Sequence, residues 1–300
     1  MNRIQRLWQK VSPDFMLAFI RFALEPRSYK KRRKAVLAHF KNTDPNSLAP
    51  EVREGLNYLR YHKYTPFPYK WTQKYDRLLP DVFRDEANSS YYTFFDGRKM
   101  YFPGTFTLTN VIWNMRTIMK EQDPYSPHQY LNADFQVEPG SIVIDAGVAE
   151  GNFALSVVER AKRLYLVECD KRWMEALKLT FAPWKEKVVF VEKYMSDKQS
   201  ETTTSIDSLI NPISGENYFI KLDIEGFEQK ALSGMKLMVR SGNPIKMNVC
   251  TYHRANDLTE IETILWSYGF TYKVSNGYVL YFQEGEEPSF RKALIRAEKK

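Results

Sequence analysis

The sequence predicts an α/β fold: a Rossmann-like, mostly parallel sheet ending in an antiparallel strand, preceded by an N-terminal helical and aromatic β-hairpin cap. Three observations carry this expectation. From residue 141 onward, short β-branched runs alternate with stretches of helical length and pattern, the signature of parallel strands joined by crossover helices. The last two apolar runs are joined by Asn276-Gly277, a tight-turn pair. The region up to residue 121 is dense in aromatic residues but lacks the alternation, so 1–121 is taken as arm and cap and 122–300 as the body. With 43% apolar and 15% aromatic residues, the chain has ample material for a packed core, which excludes overall disorder.

At the start of the chain, Ser12-Pro13-Asp14 has the form of a helix start, and Pro26 ends the run. Between them Phe15, Met16, Phe19, Ile20, Ala23 and Leu24 recur at helical steps. Residues 1 to 34 hold ten Lys/Arg, including Lys30 to Lys34, against Asp14 and Glu25, so the net charge of +8 belongs to this arm and the other 266 residues balance. The favoured reading is a helix packed on the body with a solvated basic face. The alternative is a peripheral helix, residues 12–34, on an anionic membrane, each basic residue adding about 1 kcal/mol. Its apolar run is shorter than the about 20 residues a bilayer needs, and the basic run follows it, against a secretory signal. Cys169 and Cys250 suggest neither a disulfide framework nor a zinc motif. A cytoplasmic protein, with contact at the inner membrane face as an addition, is expected. The neutral body argues against a nucleic-acid partner.

Next, Tyr91–Phe95 and Lys99–Phe102 flank Asp96-Gly97 as a hairpin, and Leu108–Met119 is a helix stopped by Asp123-Pro124. The body then offers strands at 141–145, 163–168, 187–191, 218–223 and 245–250. Helices are expected at 152–161, 173–181, 228–239 and 258–268. A closing hairpin is expected from Thr271–Val274 and Tyr278–Phe282.

The first of these strands ends in Asp145 and runs into Ala146-Gly147-Val148-Ala149-Glu150-Gly151-Asn152. In open α/β sheets ligands bind beyond the carboxyl ends of the strands, and glycines there let a ligand approach the backbone. The second strand ends in Glu168, placed to accept hydrogen bonds from ribose hydroxyls. A bare strand-to-helix turn and a solvated acid would also satisfy each feature alone; together they point to a nucleoside-bearing cofactor. Glu150 disfavours a pyrophosphate on the following helix and suits a cationic ligand such as S-adenosylmethionine.

Ile144–Phe153, Glu168, Thr204–Leu209 and above all Ile220-Lys221-Leu222-Asp223-Ile224-Glu225-Gly226-Phe227-Glu228 resemble the FkbM-type class I S-adenosylmethionine-dependent methyltransferases, over roughly residues 122 to 283. The resemblance implies a seven-stranded sheet with the last strand antiparallel and O-methylation, often of a sugar hydroxyl. It implies that Gly147, Glu150, Gly151 and Asn152 line the methionine portion and that Asp145 reaches its amino group. Glu168 would take the ribose, and Ser196 and Asp197 would border the adenine. Ala149 departs from the class, where many members have glycine.

An acceptor hydroxyl is a weak nucleophile, and a base within hydrogen-bond reach helps by about 10² to 10⁴. Asp223, Glu225 and His253 follow the fourth and fifth strands, and His128 lies in the polar cluster Ser126–Tyr130; these four are the catalytic candidates. Bland readings compete: Lys221 as a paired side chain supporting Asp223, Glu228 as a helix N-terminal acid, and both histidines as loop residues held by backbone hydrogen bonds. Asp223, Glu225 and His253 also offer ligands to a divalent cation, which the spacing does not demand; S-adenosylmethionine is the expected cofactor and no metal site is assigned. The expected function is O-methylation of a sugar hydroxyl of a glycan or glycoconjugate in polysaccharide assembly. A nucleotide-dependent oxidoreductase or epimerase and a non-enzymatic membrane-surface protein are the alternatives.

Overall fold

Arg27–His39 form helix α1, so the basic run Lys30–Lys34 is helical. The computed structural model describes residues 27–212, 214–283 and 285–300; the helix expected over 12–24 lies outside them. Helix α2 (Pro50–Tyr61) opens on proline, whose missing N–H costs nothing at a first helical position. Val36 of α1 and Val52, Leu56 and Leu59 of α2 share a core with Leu280 from near the other end of the chain. A short helix α3 (Gln73–Asp76) leads to a three-stranded antiparallel sheet of β1 (Val82–Arg84), β2 (Tyr91–Phe95) and β3 (Arg98–Tyr101). The expected turn is there: Asp96 and Gly97 take φ of 48° and 75°, the left-handed pair that matches strand twist.

Helix α4 (Leu108–Glu121) begins in a reciprocal cap, Thr107 and Asn110 each accepting from the other's backbone N–H. Its Val111, Met115 and Ile118 join Val143, Leu164 and Phe219 of the body in one apolar cluster, so cap and body share a core.

The body follows as β4 (Ile142–Ala146), α5 (Asn152–Val157), β5 (Arg163–Val167), α6 (Lys171–Thr180) and β6 (Val188–Val191). A small parallel pair, β7 (Tyr194–Met195) and β8 (Thr203–Thr204), precedes α7 (Ile206–Leu209) and β9 (Tyr218–Leu222). Then come α8 (Glu228–Ser233), α9 (Lys236–Arg240), β10 (Ile245–Cys250), α10 (Asp257–Ser267), β11 (Thr271–Val274), β12 (Val279–Tyr281), β13 (Ser289–Arg291) and β14 (Leu294–Lys299). The main sheet has seven strands in the order β11-β14-β10-β9-β4-β5-β6, parallel except at β14, which runs antiparallel to both neighbours. Chain order reverses between β4 and β9, and such a switch point opens a crevice at the carboxyl ends of the strands. Every residue of β4 and β9 is buried, as expected for central strands covered on both faces.

Three expectations need correction. The antiparallel strand is β14, not Tyr278–Phe282: the chain turns at Asn276-Gly277, but β12 leaves to pair with β13 because Leu280 is buried in the N-terminal core. Alternating Arg296 and Glu298 hide β14 in the sequence. The helix expected over 228–239 breaks in two at Gly234, where a Cβ would lie 2.7 Å from the Ser196 carbonyl oxygen and 2.9 Å from Asp197 Cα. The helix expected over 152–161 ends at Val157. Among the described residues, no helix is long and apolar enough to cross a membrane.

Candidate active site

The loop after β4 is shaped by contact with β9. Gly147 sits at φ 73°, and a Cβ on it would fall 1.8 Å from the Asp223 carbonyl oxygen, so only glycine fits. Gly151, at φ 79°, is overlaid by Leu177 of α6, 2.7 Å from where its Cβ would be, and Asn152 starts α5 buried. Glu168, at the end of β5, ties this loop down: Ala149 N donates to its Oε2 at 3.0 Å and Asp170 N to its Oε1 at 2.8 Å. Ala149 itself has φ 45°, a left-handed conformation that costs a non-glycine residue about 1–2 kcal/mol. Ala149→Gly is therefore expected to stabilise the protein by about 0.5–1 kcal/mol after the added unfolded-chain entropy. A urea midpoint that does not rise would show that the alanine is unstrained.

Below the loop lies a buried ion pair. Asp145 and Lys221 face each other in register across β4 and β9, with Nζ donating to Oδ1 at 2.9 Å and to the Gly147 carbonyl at 2.8 Å. Both side chains are buried, and Asp145 Oδ2 has no hydrogen-bond partner. Lys221 is a paired side chain as expected: its hydrogen bond goes to Asp145, and its charge also helps hold Asp223 ionised. Half-buried Glu150 is pushed up to about 7, first by burial and then by the charge of Glu121. Glu121, the last residue of α4, is raised to about 7 by burial, with Asp223 adding to it and His128 opposing.

Asp223 is the centre of the polar cluster. Tyr130 Oη donates to its Oδ2 at 2.6 Å and Tyr252 Oη to its Oδ1 at 3.4 Å. His128 Nε2 and His253 Nε2 each lie 3.5 Å from one of its oxygens. Burial opposes its charge, but His128, Lys221 and His253 overcome that and hold the carboxyl well below its ordinary range. His253 Nδ1 donates to Glu228 Oε1 at 2.9 Å, and the same oxygen accepts from Ile224 N at 2.9 Å. Burial disfavours the imidazolium, yet Glu228 and Asp223 outweigh it and raise His253 to about 9. Glu225 has φ 54°, with Oε2 3.6 Å from His253 Nε2. His128 Nε2 meets Tyr252 Oη at 3.2 Å and Cys250 Sγ at 3.7 Å.

The structure gathers Asp223, Glu225, His128 and His253 in one place and puts Asp145, Gly147, Glu150, Gly151, Asn152 and Glu168 on the adjoining loop. Ser196 and Asp197 make contacts of another kind: Ser196 N donates to the Thr204 carbonyl at 2.7 Å, and their backbone packs on Gly234. Both histidines are held by side chains, not by backbone groups as the bland reading had it. Glu228 does cap backbone, as that reading expected, and it also orients His253. Glu121 was not anticipated, since a helix-terminal glutamate carries no local signal. Tyr130 carries none for a carboxylate partner 93 residues away.

Residues 145–272 match the family model described as Methyltransferase FkbM domain. The chain carries an FkbM methyltransferase domain. Lys221, Asp223, Glu225, Glu228 and His253 lie inside the FkbM domain, while Glu121, His128, Tyr130 and β14 are brought to it from outside. Among solved structures, the FkbM methyltransferase of Methylobacillus flagellatus is 15% identical, with 83% of this chain and 62% of that chain covered and a TM-score of 0.44. Precorrin-6y C5,15-methyltransferase of Geobacter metallireducens is also 15% identical, with 55% and 84% covered and a TM-score of 0.37. No curated protein matches the chain. A cavity of about 310 Å³ lined by Ile142, Lys162, Arg163 and Lys187 is at the opposite, amino-terminal edge of the strands from this site.

Proposed function

We propose that the FkbM domain transfers a methyl group from S-adenosylmethionine to a hydroxyl oxygen, the acceptor being a sugar hydroxyl of a glycan or glycoconjugate. The observation that carries the reading is the contact of Gly147 with the Asp223 backbone, which makes the glycine loop and the ionised Asp223 cluster neighbours in one crevice. The loop fits a cationic nucleoside ligand. Its charged groups are Glu150 and Glu168, and buried beneath it is an Asp145 oxygen with no partner. A pyrophosphate would meet repulsion there, which disfavours the oxidoreductase reading. S-adenosylmethionine bound there supplies a methyl group on a sulfonium.

The chain's own part is alignment and proton handling. Asp223 is ionised and its side chain is 16% exposed, so it can accept a hydrogen bond from an acceptor hydroxyl. Tyr130 and Tyr252 fix its direction. The hydroxyl proton becomes strongly acidic as the oxygen forms its new bond, so a carboxylate of low basicity suffices to take it. Aromatic faces beside Asp223 support a sugar: Tyr252 packs 5.4 Å from His128 and 6.1 Å from Tyr281. The exposed Lys30, Lys31, Arg32 and Lys34 of α1 support peripheral contact with anionic, lipid-linked acceptors.

Calorimetric titration with S-adenosylmethionine, S-adenosylhomocysteine and NAD⁺, followed by turnover with sugar acceptors, tests the reading. Expected are saturable binding of the first two alone, at least about tenfold weaker in Glu168→Ala, and a kcat about 10²-fold lower in Asp223→Asn with cofactor affinity retained. Binding of NAD⁺ alone would replace the reading with the oxidoreductase one. Because Glu150 is raised to about 7, it is neutral below that pH and ionised above it, and a bound cation favours the ionised form. Affinity for S-adenosylmethionine is therefore expected to rise from pH 6 to pH 8, and the rise should be smaller in Glu150→Gln. The same slope in the variant would remove Glu150 from the site.

A further inference from the structure

We infer that Asn248 and Arg296 are positioning residues: they end a row of polar side chains that crosses four strands of the main sheet, and they seat Tyr130 so that its hydroxyl meets Asp223. Residues in register on neighbouring strands share one face of a sheet. Asp145, Lys221, Asn248 and Arg296 are successive register partners on β4, β9, β10 and β14. Two positions away along each strand, on the same face, stand Val143, Phe219, Cys250 and Leu294, all part of one apolar core. Burying polar groups in such a face is costly unless they are hydrogen-bonded, so each member of the row calls for a partner.

The inner pair, Asp145 and Lys221, holds itself together. The outer pair gives its donors to a loop. Asn248 Nδ2 donates to the Tyr130 carbonyl at 2.9 Å; Arg296 Nε donates to the same oxygen at 3.4 Å and its Nη2 to the Gln129 carbonyl. Among the described residues, half-buried Arg296 has these two carbonyls as partners and no carboxylate. Burial disfavours its charge. Its register partner on β11 is Lys273, and like charges directly opposite each other are destabilising. A guanidinium so placed has one evident use, the carbonyls that it holds.

Tyr130 is thereby fixed at three points. Its N–H donates to Gln122 Oε1 at 3.2 Å, its carbonyl takes the two donors of the row, and its ring lies 5.1 Å from Lys221 Nζ. With main chain and ring held, this buried residue delivers its hydroxyl to Asp223 Oδ2 at 2.6 Å, the short distance of a charge-assisted bond. His128, two residues earlier, has Nε2 3.5 Å from the same oxygen, so one seat sets both groups. Gln122, Tyr130 and Arg296 lie outside residues 145–272, so the row ties the cap and the last strand to Asp223 of the family domain. The effect on turnover, unlike the seating itself, rests on the methyl-transfer reading.

Proton NMR of the full chain reads the Tyr130 hydroxyl directly, as a downfield resonance that is absent from Tyr130→Phe. Arg296→Met keeps an apolar stem and removes the donors. The expected result is a resonance shifted upfield, or lost to exchange with water, in an Arg296→Met chain that urea unfolding shows to be folded. An unchanged resonance in that variant, or no such resonance in the wild-type chain, would overturn the assignment. If Arg296→Met does not fold, Asn248→Leu is read in the same way, since it removes the other donor together with a buried Oδ1 that has no partner. Turnover is measured on the same variants with S-adenosylmethionine and a sugar acceptor. Expected is a kcat about tenfold lower in Arg296→Met with the KM for S-adenosylmethionine unchanged, and no further loss when Arg296→Met is added to Tyr130→Phe. Additive losses would show that Arg296 does not act through Tyr130 and would overturn its role. A wild-type chain that transfers no methyl group would retire the methyltransferase reading and leave the resonance to decide the seating.

Discussion

Gly147→Ala is expected to cost about 2–5 kcal/mol of stability and to abolish cofactor binding. The first contribution is the left-handed backbone, φ 73°, worth about 1–2 kcal/mol against any residue with a Cβ. The second is overpacking, typically about 1–3 kcal/mol. Here the new methyl carbon would be 1.8 Å from the carbonyl oxygen of Asp223, a backbone atom at the end of a fully buried strand that has no rotamer to escape into. The loop must therefore lift away from β9, and the ligand surface lifts with it. Urea unfolding and calorimetric titration of the variant check both parts; a variant with native stability would mean that the two strand ends separate freely.

Lys221→Met is the second large effect, expected at about 3–5 kcal/mol, the cost of breaking a buried pair by removing one partner. Asp145 would keep its burial and lose its hydrogen bond to Nζ, while its other oxygen already lacks a partner. The sign of the pH dependence follows. Burial raises Asp145 even with Lys221 present, and without the ammonium it rises further. A carboxyl with a folded pKa above its unfolded value contributes stability at low pH that is lost as pH rises through the folded pKa. The deficit of Lys221→Met should accordingly be larger at pH 8 than at pH 5. Replacing Asp145 by Leu in the same chain should recover part of it, and unfolding midpoints of the single and double variants at the two pH values decide the matter.

What the sequence discloses is mostly local. Gly147 and Gly151 mark a strand-to-helix turn because glycine takes those left-handed φ values without cost and a Cβ there would strike Asp223 or Leu177, and the apolar runs of β4, β9 and β10 announce buried strands. Glu168, Asp223, Glu225 and His253 follow strand ends closely enough to be found by position. Pairings between distant segments leave no local trace. Asp145 and Lys221 face each other only because β4 and β9 are neighbours out of chain order. Glu228 and His253 look like a helix-start acid and a loop imidazole until the fold joins them. The β14 strand escaped notice for a related reason: it lies in the sheet between β10 and β11, and its charged residues alternate with apolar ones.

That placement of β14 bears on how the enzyme comes into being. During synthesis β10 can pair with β9 as soon as it emerges, but β11 has no neighbour to join, since β14, which links it to the sheet, is still to be made. Arg291 of β13, whose guanidinium clasps the carbonyls of Tyr252 and His253 at 2.9 and 3.0 Å, emerges at nearly the same late moment. Its hairpin partner β12 carries the Leu280 that anchors the first helices. A nascent chain thus holds every residue of the glycine loop well before it can set His253 in position, and methyl-transfer competence would arrive only once β13 and β14 are in place rather than accumulating along the way.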